Sequence, residues 1–221
     1  GVKEKMLEWL DATLIDGVGA TEGPMALQIS RRGQSGTTAQ FVPLAETRLF
    51  AEDGREIPKG SSEPGLIAAG GPALPAGYYK DPEKTRQTFV TDTRGRRYSI
   101  PGDFATVEPD GSITLLGRGS VSINSGGEKI YPEEVESAIK SHPDCWDAIV
   151  VGVPDERFGS RVAAVVQARE GRAPTLDSIQ AHCRTRIAGY KVPRELHLVA
   201  KVERSPSGKP DYRWAKAVAT G

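Results

Sequence analysis

The sequence predicts an α+β fold in two parts, a β-rich first half followed by a smaller mixed domain. From residue 41 to about 117, short apolar runs alternate with Gly, Pro and Asp-Gly pairs, a pattern typical of hairpins. After Arg118 the apolar spacing becomes that of helices alternating with buried strands. The length of 221 residues allows one large domain or two small ones, and the change in pattern favours two.

The composition is that of an ordinary globular chain. Hydrophobic residues make up 38% and charged residues 26%, and 29 basic residues balance 29 acidic ones. This balance indicates neither disorder nor a nucleic-acid partner. The chain has two cysteines, Cys145 and Cys183, and shows no secretory segment and no apolar run of membrane-spanning length. We therefore expect a protein of the reducing cytoplasm without a transmembrane segment.

The first half begins with the apolar spacing of an amphipathic helix over residues 1–10, without a capping residue before it. We therefore expect a missing N-terminal part of the same protein to precede residue 1. Farther along, Asp53-Gly54 and Asp110-Gly111 each separate two short apolar runs. Each pair predicts a tight turn between the two strands of a hairpin.

The second half predicts helices and strands in alternation. A proline followed by two glutamates indicates a helix over residues 132–141. Two short β-branched runs, at 148–153 and 162–166, predict buried strands. Thr175 is a candidate N-cap for a second helix, and a last strand is expected near 196–199. The apolar stripe of that second helix consists of Leu176, Ile179, Cys183 and Ile187.

Several stretches rich in glycine and polar residues follow one another in a fixed order. They are 16–23 (Asp-Gly-Val-Gly-Ala-Thr-Glu-Gly), 77–85 (Gly-Tyr-Tyr-Lys-Asp-Pro-Glu-Lys-Thr), 102–104 (Gly-Asp-Phe), 126–136 (Gly-Gly-Glu-Lys-Ile-Tyr-Pro-Glu-Glu-Val-Glu) and 205–209 (Ser-Pro-Ser-Gly-Lys). In this order they resemble the signature motifs of the adenylate-forming superfamily, which includes acyl-CoA synthetases, luciferases and the adenylation domains of peptide synthetases. The block at 126–136 is the most specific match.

Residues 16–23 combine three features that suit a nucleotide. Glycines let the backbone approach it, a hydroxyl can donate to a phosphate oxygen, and a carboxylate is the hard ligand that Mg²⁺ prefers. The resemblance implies that Thr21 contacts the α-phosphate of ATP and that Glu22 holds Mg²⁺, both as catalytic residues. It also implies a group of cofactor-binding residues, namely Asp16, Gly17, Val18 and Gly19. Val18 departs from the family's usual aromatic residue against adenine, and a Gly-rich turn before a helix cap is the alternative interpretation.

Asp103 and Arg118 are further candidates for nucleotide binding. A carboxylate can accept hydrogen bonds from both ribose hydroxyls, and a guanidinium can support the same sugar or a phosphate. The resemblance implies these roles for Asp103 and Arg118, and it places a hinge between two domains at Ser120. A hairpin aspartate with a surface arginine partner is the competing interpretation.

Gly126 and Gly127 begin the most specific block. The resemblance implies that this block reaches the active site during thioester formation, where two residues without side chains leave room for the pantetheine arm of CoA. A plain Gly-Gly turn is the alternative. Tyr78 and Tyr79, in contrast, are predicted to pack against a core and not to bind a ligand.

Lys209 is the residue to which the resemblance gives the central catalytic role. Joining a carboxylate to the α-phosphate brings two anions together, and a flexible ammonium can neutralise both in the transition state. The alternative is an exposed lysine, because Pro-Ser-Gly is ordinary turn chemistry.

Two other patterns are set aside. Residues 35–38, Ser-Gly-Thr-Thr, copy part of the superfamily's phosphate loop, but they lack its continuation and follow the Thr21-Glu22 pair instead of preceding it. A zinc site could be imagined at His142, Cys145, His182 and Cys183. These residues lack the close cysteine pair of zinc sites, so packing roles are favoured.

The resemblance implies that residues 1–117 end a large AMP-binding domain and that residues 118–221 form a small mobile C-terminal domain. The full-length protein would be an ATP-dependent acid–thiol ligase that uses ATP, Mg²⁺ and CoA to form acyl-CoA through an acyl-adenylate, whereas this chain alone would be inactive. The block at 126–136 is most similar to that of bacterial fatty-acid and steroid-acid CoA ligases, which favours a bulky apolar carboxylic acid. Only 12 residues follow Lys209, which favours free CoA over a carrier domain. The alternatives are a non-catalytic nucleotide- or CoA-binding module and an adenylation domain that serves another acceptor.

Overall fold

A computed structural model describes residues 2–33 and 40–221 of the chain. The Ser-Gly-Thr-Thr stretch at 35–38 lies outside the described residues. The chain divides into two compact units, Gly1–Leu116 and Gly117–Gly221, and each has hydrophobic cores of its own. Among the described residues, no helix is both long enough and apolar enough to span a membrane.

The first unit is a branched antiparallel sheet with two short helices. Its elements are α1 (Val2–Trp9), β1 (Leu14–Ala20), β2 (Gly23–Ser30), β3 (Gln40–Pro43), β4 (Arg48–Phe50), β5 (Gly65–Gly70), α2 (Pro82–Thr88), β6 (Phe89–Thr91), β7 (Arg97–Ser99), β8 (Asp103–Val107) and β9 (Ile113–Arg118). The strand order is β1-β2-β3-β9-β8-β5-β7-β6, and β4 pairs with the other edge of β5. The main core lies on one face of this sheet and includes Met25, Ile67 and Ile113, which are fully buried.

The two predicted Asp-Gly turns are confirmed. The backbone N–H of Gly54 donates to Ala51 O at 2.9 Å, and that of Gly111 donates to Glu108 O at 2.9 Å. In the second turn, Asp110 Oδ1 also accepts from the Ser112 N–H at 2.8 Å, an Asx turn that stabilises the β8–β9 hairpin.

The alternative interpretation of residues 16–23, a Gly-rich turn before a helix cap, is wrong. Residues 14–20 form β1, which pairs with β2 across a tight turn at Thr21 and Glu22. Burial alternates along β1, with the even-numbered residues half-buried and the odd-numbered ones exposed. The strand was hidden in the sequence because Asp16, Gly17 and Gly19 are of residue types that are depleted in strands.

The second unit contains a β-hairpin and a three-stranded sheet between helices. Its elements are β10 (Ile123–Ser125), β11 (Glu128–Ile130), α3 (Pro132–Lys140), β12 (Cys145–Asp155), β13 (Gly159–Ala168), α4 (Leu176–Arg184), β14 (Glu195–Val199) and α5 (Tyr212–Thr220), with 3₁₀ turns at Gly119–Val121 and Gly189–Lys191. β13 lies in the middle of the sheet, antiparallel to β12 and parallel to β14. The predicted order of helix, strand, strand, helix and strand is confirmed.

Both faces of the three-stranded sheet are covered. Along β12, Ala148 and Val150 face the core that contains residues of α3 and α4. The intervening Ile149 and Val151 face a second core that contains residues of α5. Burial on two faces explains why these strands are continuous apolar runs without polar alternation.

The predicted helix starts are also confirmed. Pro132 is the first residue of α3, and Thr175 caps α4 by accepting from the Ser178 N–H at 3.2 Å. α4 ends at Arg184, so Ile187 lies beyond the helix, although it still packs on the same core.

Helix α5 is absent from the sequence predictions. Asp211 begins it, because its Oδ1 accepts from the backbone N–H groups of Arg213 and Trp214 at 3.0 Å each. Ala215 and Ala219 supply the buried face. Two alanines give a weaker apolar signal than the branched stripes of α3 and α4.

Candidate functional site

The turn between β1 and β2 carries the first pair of candidate residues. Thr21 is exposed and Glu22 is half-buried. The Tyr78 hydroxyl donates to Glu22 Oε1, and the Ser99 hydroxyl lies 3.5 Å from the Glu22 carbonyl oxygen. The pKa of Tyr78 is raised, mainly because its proton is held by this carboxylate. The structure therefore connects the motif at 16–23 to the motif at 77–85.

Tyr78 is itself held in place by the segment around it. Its backbone N–H donates to Thr85 Oγ1 at 2.9 Å, and that hydroxyl donates to Asp81 O at 2.7 Å. Its ring packs edge-on against Phe89 with centroids 5.9 Å apart. A side chain at Gly77 would come within 2.5 Å of the Thr85 methyl group, so this position requires glycine. The predicted packing role is confirmed for Tyr78, although sequence reasoning missed its contact with Glu22. For Tyr79 the prediction is wrong, because this side chain is 87% exposed.

The other candidates in the first motif lie along β1. Asp16 pairs with Lys3 of α1, and Val18 packs on the core of the first unit. Gly17 and Gly19 lie on the exposed face of the strand. Asp103, which begins β8, is half-buried. Ser99, whose hydroxyl lies beside the Glu22 carbonyl oxygen, precedes Asp103 by only four residues. A short segment of chain therefore connects Asp103 to the residue that contacts Glu22.

A metal site in the first unit would depend on Glu22. Within the part of the chain that the structure describes, no group of three or more His, Cys, Asp and Glu side chains could hold a metal ion. Glu22 therefore offers a single carboxylate. This fits Mg²⁺, which proteins often hold through one or two carboxylates together with waters and the phosphates of a substrate.

In the second unit, Gly126 and Gly127 form the turn between β10 and β11. Their φ angles are +63° and +89°, which matches a two-residue turn whose central positions favour glycine. The Gly126 N–H donates to Phe158 O at 2.9 Å, and a side chain at Gly126 would lie 3.1 Å from the Phe158 ring. The guanidiniums of Arg157 and Arg194 lie 5.0 and 4.9 Å from the centre of that ring.

A half-buried aromatic ring with two exposed arginines therefore adjoins the Gly-Gly turn. We call Phe158, Arg157 and Arg194 the Phe158 cluster. Its members are far apart in the sequence from Gly126 and Gly127, and no motif marked Arg157 or Phe158 beforehand. The β12–β13 hairpin brings Phe158 to this turn, so only knowledge of the strand pairing would have found it.

The candidate hinge lies at the start of the second unit. Arg118 is exposed, and its backbone N–H donates to Glu133 Oε1 at 3.2 Å. Ser120 lies in the 3₁₀ turn that follows, and Ser122 Oγ closes this turn by donating to Gly119 O at 2.7 Å. Both candidates are thus on the surface, at the point where β9 ends.

Lys209 is exposed at the end of a tight turn. The Ser205 N–H donates to Lys209 O at 2.9 Å, and the Gly208 N–H donates to Ser205 O at 2.8 Å. The Lys209 N–H donates back to Ser205 Oγ at 3.1 Å. Arg204 and Pro210 pair across the base as an isolated bridge. The turn is therefore ordered by its own hydrogen bonds, and Lys209 is presented to solvent.

The four residues considered for zinc have structural roles. Cys145 and Cys183 are free and buried, and burial raises the pKa of each thiol to about 11. A thiol held protonated is a poor metal ligand, because the thiolate is the binding form. His142 and His182 stack edge-on with centroids 5.0 Å apart, and Ser141 Oγ lies 2.8 Å from His182 Nε2.

Within the first unit the structure brings Glu22, Tyr78 and Ser99 together, and within the second it brings Gly126 next to Phe158. Lys209 lies on a separate turn of the second unit. These groups offer a carboxylate for a cation, a glycine turn beside a ring, and an exposed ammonium.

Comparison with known proteins places these groups in a wider context. Residues 134–209 match the family described as the AMP-binding enzyme C-terminal domain, and this match ends at Lys209. A medium/long-chain-fatty-acid–CoA/3-oxocholest-4-en-26-oate–CoA ligase from Mycolicibacterium smegmatis is 58% identical over 98% of this chain and 40% of the relative. The chain thus spans about 40% of the length of the curated relatives it matches.

Two solved structures are similar in fold. ATP-bound MatB from Rhodopseudomonas palustris matches with a TM-score of 0.76 and 27% identity, over 92% of this chain and 40% of that one. The amide bond synthetase McbA from Marinactinospora thermotolerans matches with a TM-score of 0.77 and 28% identity, over 92% of this chain and 41% of that one.

Proposed function

This chain belongs to the acyl-CoA synthetases of the adenylate-forming superfamily, as a C-terminal portion, and we propose that the full-length protein joins a carboxylic acid to CoA at the expense of ATP. The reaction has two halves. The carboxylate first displaces pyrophosphate from ATP to give an acyl-adenylate. The thiol of CoA then displaces AMP to give the thioester. The similarity to a CoA ligase over nearly the whole chain is the observation that carries this proposal.

The first unit contributes to the nucleotide site. Thr21 is exposed and can donate its hydroxyl to the α-phosphate, and the carboxylate of Glu22, which accepts from the Tyr78 hydroxyl, would hold Mg²⁺. Bound Mg²⁺ supplies positive charge against the phosphates. Asp103 accepts from the ribose hydroxyls. Arg118, which belongs to the second unit, is a further proposed donor to the nucleotide. The assignment of Glu22 and Asp103 to one site is supported by Ser99, which contacts Glu22 and lies four residues before Asp103.

Lys209 serves the adenylation half of the reaction. Its ammonium neutralises the carboxylate and the α-phosphate as they approach, and its exposed position on an ordered turn supports this role. The ATP-bound structure with a similar fold supports nucleotide binding by this family of folds. The hinge at Ser120 then lets the small domain withdraw Lys209 after adenylation.

Gly126 and Gly127 serve the thioester half. Two residues without side chains leave room for the pantetheine arm of CoA to pass the backbone. The Phe158 cluster supports this assignment, since an aromatic face suits an adenine base and guanidiniums suit phosphates.

The proposed substrate is a medium- or long-chain fatty acid or a steroid acid. The support is the name of the relative that is 58% identical, which acts on both kinds of acid. The likeness to an amide bond synthetase makes an amine the rival acceptor to the thiol. A cytoplasmic location is part of the proposal, supported by two free and buried cysteines.

The test uses the full-length protein with ATP and Mg²⁺ against fatty, aromatic and steroid acids, offered CoA or a simple amine. Mass spectrometry should detect acyl-CoA and no amide. Substituting Lys209→Ala should lower the rate of pyrophosphate release by about 10²–10³-fold, while thioester formation from supplied acyl-adenylate continues. Equal loss of both half-reactions would exclude the role of Lys209, and amide without thioester would change the acceptor.

A further inference from the structure

The turn that carries Lys209 is fastened to the three-stranded sheet through one side chain. The Arg204 guanidinium meets the Asp147 carboxylate as a fork, with Nε to Oδ2 and Nη2 to Oδ1 both at 2.7 Å. Its remaining nitrogen, Nη1, donates to Gly208 O at 3.1 Å, one residue before Lys209. Arg204 therefore connects strand β12 directly to the tip of the turn.

The Asp147 end of this connection is rigid. Asp147 lies in β12 beside a shift in the strand register, and its Oδ1 also accepts from the Ala148 N–H at 2.9 Å. Burial acts to raise the pKa of Asp147, but the hydrogen bonds from Arg204 and Ala148 outweigh it, so the pKa lies below its ordinary value. The carboxylate is therefore ionised at neutral pH and fixed in orientation.

The pair is also shielded from solvent. The side chains of Arg204 and Asp147 are 27% and 19% exposed, whereas residues 205–209 are all exposed. A two-bond fork fixes direction as well as distance, which a single contact cannot do. Within the described part of the chain, the hydrogen bonds of residues 205–209, apart from the one from Arg204, run between residues of the turn itself.

We propose that Arg204 and Asp147 are positioning residues for Lys209, holding its turn at the place where the ammonium meets the reacting phosphate. This inference rests on the proposed function, in which Lys209 acts in adenylation. Neither residue touches the substrate. Their contribution is geometric, and a displacement of about 1 Å at a catalytic group can cost on the order of 10²-fold in rate.

The experiment measures both half-reactions of the full-length protein. Arg204→Gln and Asp147→Asn should each lower the rate of pyrophosphate release by about 10- to 100-fold, with thioester formation from supplied acyl-adenylate unchanged. Arg204→Lys keeps the charge but loses the fork, so its rate should lie between those of the wild type and Arg204→Gln.

A double-mutant cycle separates positioning from general stability. If Arg204 acts only through Lys209, adding Arg204→Gln to Lys209→Ala should cause no further loss of adenylation. A further loss of 10-fold or more in the double variant would overturn the inference. Amide exchange of Ser205, Gly208 and Lys209 should also be faster in Arg204→Gln, which is a readout independent of activity.

Arg161→Gln is the matched control. Arg161 forms an ion pair with Glu195 between β13 and β14, with side-chain exposures of 35% and 28%, close to those of the Arg204 pair. This variant should lose comparable stability but keep the wild-type adenylation rate. A normal rate in Lys209→Ala would overturn the proposed function itself. A slow Lys209→Ala beside a normal Arg204→Gln would overturn the positioning role alone.

Discussion

At the scale of single residues, Tyr78 combines two roles, since it packs against a neighbouring ring and also hydrogen-bonds to a candidate site residue. Its ring lies against Phe89 and under the Lys84 ammonium, 4.2 Å from the ring centre, while its hydroxyl donates to Glu22. Ligands of a metal ion are usually oriented by hydrogen bonds from a second set of residues, whose loss costs about 10–100-fold in affinity or activity. In the proposed function, where Glu22 holds Mg²⁺, Tyr78 would have this relation to Glu22.

Substituting Tyr78→Phe in the full-length protein should therefore lower its affinity for Mg²⁺. The ring packing is kept, and Glu22 loses the donor that fixes it. We expect the Mg²⁺ concentration for half-maximal pyrophosphate release to rise by about 10-fold, and calorimetry without the acid to show weaker binding of Mg·ATP.

The control for this change is Tyr79→Phe, since Tyr79 is 87% exposed. It should leave both measurements at wild-type values. Identical Mg²⁺ dependence in the two variants would show that the Tyr78 hydroxyl has no part in metal binding.

At the scale of elements, α3 is joined to β12 by a buried carboxylate. Glu136 is 2% exposed, and its Oε1 accepts from the Val150 backbone N–H at 3.0 Å. Burial raises its pKa to about 7, against the opposing effect of the Val150 hydrogen bond. Four charged or titratable groups also act on it: Glu133 and Lys140 of α3, Arg204, and Tyr212 of α5.

This carboxylate predicts a pH dependence of stability. The pKa of Glu136 is higher in the folded chain than its ordinary value of 4.5, so the folded state binds the proton more tightly. The free energy of unfolding therefore falls as the pH rises from about 4.5 to about 7, by on the order of 3 kcal/mol from this group.

Glu136→Gln tests the pH prediction, because glutamine keeps the shape and the acceptor oxygen but cannot ionise. Urea unfolding of the variant at pH 5 and pH 8 should differ less than that of the wild type. An unchanged difference between the two pH values would assign the dependence to other groups.

At the scale of the whole molecule, the second unit has the hydrophobic cores that a domain needs to fold independently. Its two cores lie on opposite faces of one sheet and draw all their residues from Gly117–Gly221. We expect residues 117–221, expressed alone, to unfold in one cooperative transition by circular dichroism, with slow amide exchange in β13. Gradual unfolding without protected amides would show that this unit depends on the rest of the chain.

The second unit was largely predictable because its signals are local. Pro132 and Thr175 mark helix starts, and the continuous runs of β12 and β13 reflect burial on two faces. Its misses, α5 and the Phe158 cluster, depend on alanines and on strand pairing. The β1–β2 hairpin was missed for another reason, since its glycines lowered the strand signal and tertiary pairing supplied the rest.

Candidate sites follow the same division. Thr21, Glu22 and Lys209 could be proposed from motifs, because the chemistry of each side chain is visible in its own stretch. Tyr78 and Arg204 could not be proposed in this way, because their roles depend on hydrogen bonds to Glu22 and Asp147, which lie 56 and 57 residues away in the sequence.

The contact between Glu136 and Val150 has a consequence for association between molecules. Among the described residues, β12 is an edge strand of its sheet, and the outward backbone N–H groups of an edge strand can pair with a strand from another chain. The Glu136 carboxylate occupies one of these N–H groups in the middle of the strand. A second molecule would have to displace a buried side chain to extend the sheet there, so this edge is protected against aggregation by its own helix.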